Sequence, residues 1–362
     1  MYMKKVLVAL RVAECIGIAA ALLLSCVNIN FDDLIGKTAC FSVAAAIPDG
    51  LSRSVTFTVI SEPAASEADR GTKKPSSVSG TDEILTPAVC AAVEEQMMGS
   101  VIKRTIPTAS GNISSGYVYI NNNTDAAVDI DSELSAKLSF DVTKDGTAQI
   151  LIYHTHTTES FMTDEQSYYN SSDEPRSTDT DKNIVAVGDK IAEQLKNAGY
   201  TVIHDTTIHD HPGFTGSYGR SAETVSRILS ENPNIKIAID VHRDSISSGD
   251  SAKVAPVVTV NGREAAQVML VMGSETGKVT GYPNWRENLR LALHLQKTFA
   301  DNYPDLARSI LLRSAKYNQD LTTGSILIEM GSDANTLNQA LYSGELVGRS
   351  LVSMLEAKGN KD

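Results

Sequence analysis

The chain has 362 residues, 42% of them hydrophobic, and a formal net charge of −12, which suits one large domain with accessory segments or two domains. The acidic balance argues against a nucleic-acid binder, which needs a basic footprint against phosphate. The four cysteines, Cys15, Cys26, Cys40 and Cys90, leave everything after position 90 without disulfides and without thiolate ligands for a metal.

Lys4 and Lys5 precede an apolar stretch from Val6 to Phe31, broken by Arg11 and Glu14. Counted from Val6 it reaches the roughly 20 residues a bilayer requires, with Arg11 snorkelling to the headgroups. Residues 1–31 are therefore expected to form a single-pass anchor in the cell membrane, with the basic flank cytoplasmic and the rest of the chain outside. A cleaved signal peptide would need a small-residue site that is not well placed here. Leu23-Leu24-Ser25-Cys26 resembles a lipoprotein processing box in which Leu24 is atypical. All three readings export the remainder. Residues 32–114 are expected to be a largely disordered extracytoplasmic linker, because Glu, Ala, Ser, Thr, Lys and Pro dominate positions 61–81. Within it, positions 55–60 alternate like a strand without an evident partner, and 83–105 read as weakly helical.

From residue 115 the pattern becomes regular and is expected to form one catalytic domain, 115–362. Short strands are expected at 116–120 and 138–140, and a buried strand at 149–153. Ile184, Val187, Ile191 and Leu195 recur at helical spacing, and Gly199 supplies the stop. A strand at 200–204, a helix at 221–229 and a strand at 235–241 follow. Strands at 254–260 and 267–272 flank Asn261-Gly262, a strong hairpin signal. A helix at 288–299, strands at 309–312 and 325–328, and a long helix at 336–357 complete the chain. Such alternation predicts an α/β fold, a mostly parallel sheet with helices on both faces. Its chemistry belongs at the carboxyl ends of the strands.

Three of those ends carry polar residues. The first reads Tyr153-His154-Thr155-His156-Thr157-Thr158-Glu159, the second Asp240-Val241-His242-Arg243-Asp244, and the third Glu329-Met330-Gly331-Ser332 with Asn335 beyond. A lone histidine at a strand end is usually structural. Two histidines and a glutamate within six residues, joined by His242 from another strand, suit zinc held by imidazole and carboxylate with water in the fourth position. The candidate ligands are His154, His156, Glu159 and His242. His156 is slightly favoured over His154, and Asp179 rivals Glu159 unless it merely caps the following helix. Glu329 is the candidate general base. Arg243, Asn318 and Gln319 are candidate substrate contacts, with surface pairing or capping as the plainer alternative. Trp285 and Arg286 form a candidate glycan rim.

These segments resemble the stage II sporulation protein P family, the cell-wall hydrolases of endospore formers. The resemblance is carried by 151–160, 183–190, 240–245, Asn288-Leu289-Arg290-Leu291-Ala292, Arg313 with Tyr317-Asn318-Gln319-Asp320-Leu321, and Glu329 through Thr336. It implies an N-acetylmuramoyl-L-alanine amidase-like zinc fold that cuts the amide between muramic acid and L-alanine of peptidoglycan. It also implies cutting of stem-peptide crosslinks, and action with stage II sporulation proteins D and M in septal wall thinning and engulfment. Glu329, Gly331 and Asn335 reproduce the wider group's E-x-G-x-x-x-N segment. The group's first histidine maps to His156, or to His154 if the register slips, and its second to His242. Its ligand glutamate falls where this chain has Asp179, which leaves the choice between Glu159 and Asp179 open. The alternatives are a zinc carboxypeptidase or endopeptidase on wall peptides, and a wall-binding scaffold with a vestigial site.

Overall fold

The computed structural model describes residues 97–171, 173–249 and 251–359, together with the backbone of two strands nearer the N-terminus. Those two, β1 (Cys40–Ala46) and β2 (Ser52–Thr58), form an antiparallel hairpin in a unit of their own. The strand expected at 55–60 thus has a partner in β1. The expected anchor and the 61–81 spacer lie outside the described residues. Among the described residues no helix is long and apolar enough to cross a membrane.

The second unit holds two sheets. In chain order its elements are β3 (Met97–Arg104), β4 (Ile113–Ser115), β5 (Val118–Asn122), α1 (Ile130–Ser135), β6 (Ala148–Tyr153), β7 (Tyr168–Asn170), α2 (Ile184–Asn197), β8 (Thr201–His204), α3 (Ser217–Glu231) and β9 (Ile237–Asp244). They continue with β10 (Ser247–Ser248), β11 (Ala252–Val260), β12 (Arg263–Ala266), β13 (Val268–Gly273), α4 (Trp285–Asn302), β14 (Ile310–Arg313), β15 (Ser325–Ser332) and α5 (Leu337–Gly359). The main sheet runs β4-β5-β14-β13-β15-β9-β6-β8. Five of its seven pairings are parallel and two antiparallel. It is therefore mostly parallel, as expected, but its direction reverses between β13 and β15. The carboxyl ends of β15, β9 and β6 consequently share an edge with the amino ends of β13, β14 and β5.

Alternate residues of the central strands enter different cores, which is what a sheet covered on both faces requires. Ile150, Ile152, Ile237 and Ile239 pack with Ile184, Ile191, Leu289 and Leu346 of α2, α4 and α5. Leu151, Tyr153 and Ala238 pack with Val225 and Ile228 of α3. Helix α2 starts where the Asn183 side chain accepts a hydrogen bond from the Val185 N–H, and Gly199 at φ +94° ends it. Helix α5 approaches α2 through Gly348, where a Cβ would meet that of Gln194 at 2.6 Å.

Three local expectations are corrected. Residues 97–104 are strand β3 rather than helix, because Met97–Arg104 pairs with β11 and β7 in the second sheet. Residues 138–140 form no strand. The Asn261-Gly262 turn does close a hairpin, with φ of 50° and 77°, but its second arm is Arg263–Ala266. The chain then leaves at Gln267 and β13 joins the main sheet. Gln267 is fully buried, and its amide side chain bonds the backbone of Ile106 and Asp305 at this transfer.

Candidate active site

The polar ends of β6, β9 and β15 lie side by side because the three strands are neighbours. The parallel register sets Glu329 beside His242 and Tyr153 beside Asp240. The period of two then puts Asp240 and His242 on the same face of β9. Beyond β6 the chain turns sharply, and its threonines fix the turn. Thr155 donates through both N–H and Oγ1 to the Asp240 carboxylate, at 2.8 and 2.7 Å. Thr158 does the same to Asp210, at 3.0 and 2.8 Å. Thr157 Oγ1 reaches the carbonyls of His154 and Thr207.

That turn sends the two histidines to different places. His154 bonds the Val241 carbonyl through Nδ1 and His204 through Nε2, both at 2.9 Å, and His204 continues to Asp189 at 2.8 Å. Burial, followed by the neighbouring His204, lowers the His154 pKa to about 3, so the ring is neutral. His156 instead faces His242, with ring centroids 5.2 Å apart and planes at 86°. It stacks on Phe214 at 4.5 Å and meets the edge of Tyr218 at 5.6 Å. Burial and then the charge on His242 lower its pKa to about 4.

His242 sits between two carboxylates. Its Nδ1 is 3.6 Å from Glu159, and its Nε2 is 2.9 Å from Asp240 but not aligned for a hydrogen bond. Burial opposes its charge, yet Asp240 and Glu159 outweigh that and raise its pKa to about 10. Glu159 is buried and accepts the Arg243 N–H at 3.0 Å, and burial raises its pKa. Glu329 Oε2 is shielded from solvent and has no hydrogen-bond partner. Burial pushes the Glu329 pKa up to about 8, against the pull of His242 and with the repulsion of Glu159. Like charges in one dry site cannot all ionise cheaply, so this cluster calls for a proton or a cation.

The remaining expected residues sit elsewhere. Asp179 is exposed, pairs with Lys182 at 3.0 Å and accepts the Asp181 N–H; it touches neither histidine, and Asn183 caps α2 in its place. Arg243 is buried and spends its guanidinium on the carbonyls of Ser160 and Pro175. Gln319 is 1% exposed and bonds Val271 and Gly273 of β13. Asn318 donates to the Tyr218 carbonyl and to Ser221 Oγ. Tyr317 and Asn318 both hold φ above 50°, a strained pair of residues at the rim of the site. Arg286 pairs with Glu133, and its guanidinium lies 4.5 Å over the buried Trp285 ring, which leaves little of a glycan rim.

Several neighbours of the site carry no motif of their own. Phe214 is 53% exposed although it covers His156, and Arg176 lies 4.6 Å over its other face. Arg176 also binds Asp210 at 2.5 Å and approaches Glu159 at 4.0 Å. A cavity of about 700 Å³ opens beside them, lined by Arg176, Lys182, Asp210, His211 and Phe214 among others. Only the spacing of Asp240 two before His242 signalled its role in sequence.

The donor set suits zinc by kind: two imidazoles with carboxylates, in a buried cluster where His242 Nε2 and Glu329 Oε2 have no hydrogen-bond partner. Among the described residues, no three His, Cys, Asp or Glu side chains are gathered around a single point. His242 links the group, with Asp240 at 2.9 Å, Glu159 at 3.6 Å and the His156 ring 5.2 Å away, while His154 turns to His204 and Asp179 to Lys182.

The family model described as Stage II sporulation protein P matches residues 91–351. Stage II sporulation protein P of Bacillus subtilis (strain 168) is 29% identical over 201 residues, which cover 52% of this chain and 47% of that protein. The chain thus spans about half the length of the curated relative it matches. Among solved structures, the CwlD amidase of Clostridioides difficile in complex with the GerS lipoprotein aligns with 59% of this chain and 100% of its own, at 12% identity and a TM-score of 0.37. The N-acetylmuramoyl-L-alanine amidase AmiC2 of Nostoc punctiforme aligns with 60% of this chain and 99% of its own, at 12% identity and a TM-score of 0.34.

Proposed function

The chain belongs to the Stage II sporulation protein P family, and on that premise we propose that it is a zinc-dependent peptidoglycan hydrolase of sporulation. Its reaction in this reading is cleavage of the amide between N-acetylmuramic acid and L-alanine. The observation that carries the reading is the meeting of His156, His242, Glu159 and Glu329 at the ends of three adjacent strands.

His156, His242 and Glu159 would hold the metal, which when bound supplies a water of pKa about 7 and polarises the scissile carbonyl. Glu329 takes the proton of the attacking water at its carboxylate and returns it to the leaving amine nitrogen. Burial holds its pKa above the ordinary carboxylate range, which makes the ionised group a stronger proton acceptor than an exposed glutamate. Asp240, itself fixed by two bonds from Thr155, stands 2.9 Å from His242 Nε2 and would orient that ring by its charge. Phe214 and Tyr218 confine the half-buried His156 ring. The cavity beside Arg176 and Lys182 is where a stem peptide would lie, with cations for its carboxylates. Cutting of crosslinks and work with stage II sporulation proteins D and M belong to the same reading by family, as does an N-terminal membrane anchor.

Purified sacculi incubated with the full-length protein should release stem peptides and leave free lactyl groups on muramic acid, as read by mass spectrometry. A chelator should stop release, and Glu329→Gln should slow it about 10²–10⁴-fold. Release that survives both changes overturns the proposal, and products cut within the peptide instead favour the endopeptidase alternative.

A further inference from the structure

A second cavity, of about 400 Å³, lies away from the residues assigned above. Its walls include Tyr117, Tyr119 and Tyr303, with Gln296, Asp305 and Ala307 between them. Tyr117 is 77% exposed, the largest exposure of any big hydrophobic side chain among the described residues. Gln296 is 1% exposed, and its Oε1 has no hydrogen-bond partner although its Nε2 donates to the Arg308 carbonyl. A buried acceptor left without a donor is a place where a ligand O–H or N–H gains a bond that nothing else in the protein supplies. Asp305 adds a carboxylate and is held at φ 65°, in the left-handed region that Asp tolerates better than most residues.

The lining narrows the ligand. It contains no lysine or arginine, so it offers nothing to a carboxylate or a phosphate. It offers tyrosine faces to an apolar ring surface and acceptors to a molecule rich in O–H and N–H donors. A sugar ring has both properties, with C–H groups on its face and hydroxyls at its edge. The volume falls in the range of small-ligand sites.

Topology relates the cavity to the active site. Ala307, in its wall, pairs with Val268 at the start of β13, and Val268 pairs with Met330, the residue after Glu329. Two strand spacings, about 10 Å of backbone, separate Ala307 from Met330. Arg308 reaches across to Asp244 at 2.9 Å, at the carboxyl end of β9. The cavity and the candidate catalytic residues therefore share one edge of the sheet.

We propose that this cavity binds N-acetylhexosamine units of a glycan strand, holding the polymer at the same sheet edge where its peptide amide is cut. This rests on the peptidoglycan reading for the choice of polymer, but the binding itself does not require cleavage. The test uses chitotetraose, which carries no lactyl group and no peptide, titrated into the full-length protein by calorimetry. Wild type should bind it, and Glu329→Gln should bind it equally well. Tyr117→Ala, at an exposed position, and Asp305→Asn, which keeps the left-handed backbone, should each weaken binding about tenfold. Tyr117→Ala should also slow release from intact sacculi. Absence of chitotetraose binding to wild type, or wild-type affinity in both variants, overturns the proposal. Binding that persists in a protein unable to release stem peptides would instead sink the hydrolase reading and leave the sugar site standing.

Discussion

A fully buried imidazole is stable only in its neutral form unless an acid stands beside it, and His154 is such a group. Its pKa in the folded protein is about 3, against an ordinary value of 6.5. The unfolded chain therefore takes up the proton first as pH falls. The stability this neutral ring contributes is complete above about pH 6.5 and is lost as pH drops toward 3. At about pH 4.5 the loss is roughly 2–3 kcal/mol. His154→Asn keeps a donor for Val241 and removes the titration, so its melting temperature should depend less on pH between about 6.5 and 4.5 than that of wild type. Equal slopes in the two proteins would refute it. Asp240→Asn should lower zinc affinity about 10–100-fold in competition with a chelator, while the fold persists, because it loosens the support of His242. Unchanged affinity would show that Asp240 serves Thr155 alone.

At the level of elements, the run Glu329-x-Gly331-x-x-x-Asn335 is a backbone device as well as a chemical one. Strand β15 shifts register between Glu329 and Ser332, and Gly331 holds φ 75° there. A Cβ on Gly331 would meet Asn335 Oδ1 at 2.5 Å and Ala266 Cβ at 2.7 Å. Asn335 Oδ1 accepts the Ser332 N–H at 2.9 Å, and its Nδ2 donates to Gln339 Oε1. The glycine lets the strand bend, the asparagine ties the bend to the start of α5, and Glu329 is aimed as a result. Gly331→Ala should therefore destabilise the protein by about 2 kcal/mol or more, as read by urea unfolding. It should also cost activity at temperatures where the protein is still folded. A variant as stable and active as wild type would remove this account of the motif. The same elements mark what could be read in advance. Strand ends and helices from residue 148 onward followed from apolar spacing and glycine stops, and the polar residues at those ends marked His154, His156, Glu159, His242 and Glu329 as candidates. Strand β3 could not be read, because it is a strand only through pairing with β11, about 150 residues away. The separation of His154 from His156 was equally hidden, since the turn that parts them is set by Asp240 and Asp210 on distant segments.

Across the whole molecule, the charge of −12 constrains how the chain, acting as proposed, would meet a cell wall. A bacterial wall is itself anionic, so long-range electrostatics oppose the encounter rather than steer it. What attraction exists must be short-ranged: aromatic faces in the tyrosine cavity, hydrogen bonds, and the few cations beside the candidate site, Arg176 and Lys182. Screening then works in favour of binding. Raising ionic strength from about 20 mM to about 200 mM shortens the Debye length from over 20 Å to under 10 Å and weakens the repulsion between the two anionic surfaces. Retention of the Glu329→Gln protein on sacculi, measured by co-sedimentation, should stay level or rise over that range. Steady release with added salt would mean that local cations, rather than sugar and peptide contacts, carry the attachment. In that case Arg176→Ala should abolish retention, whereas Tyr117→Ala should leave it intact.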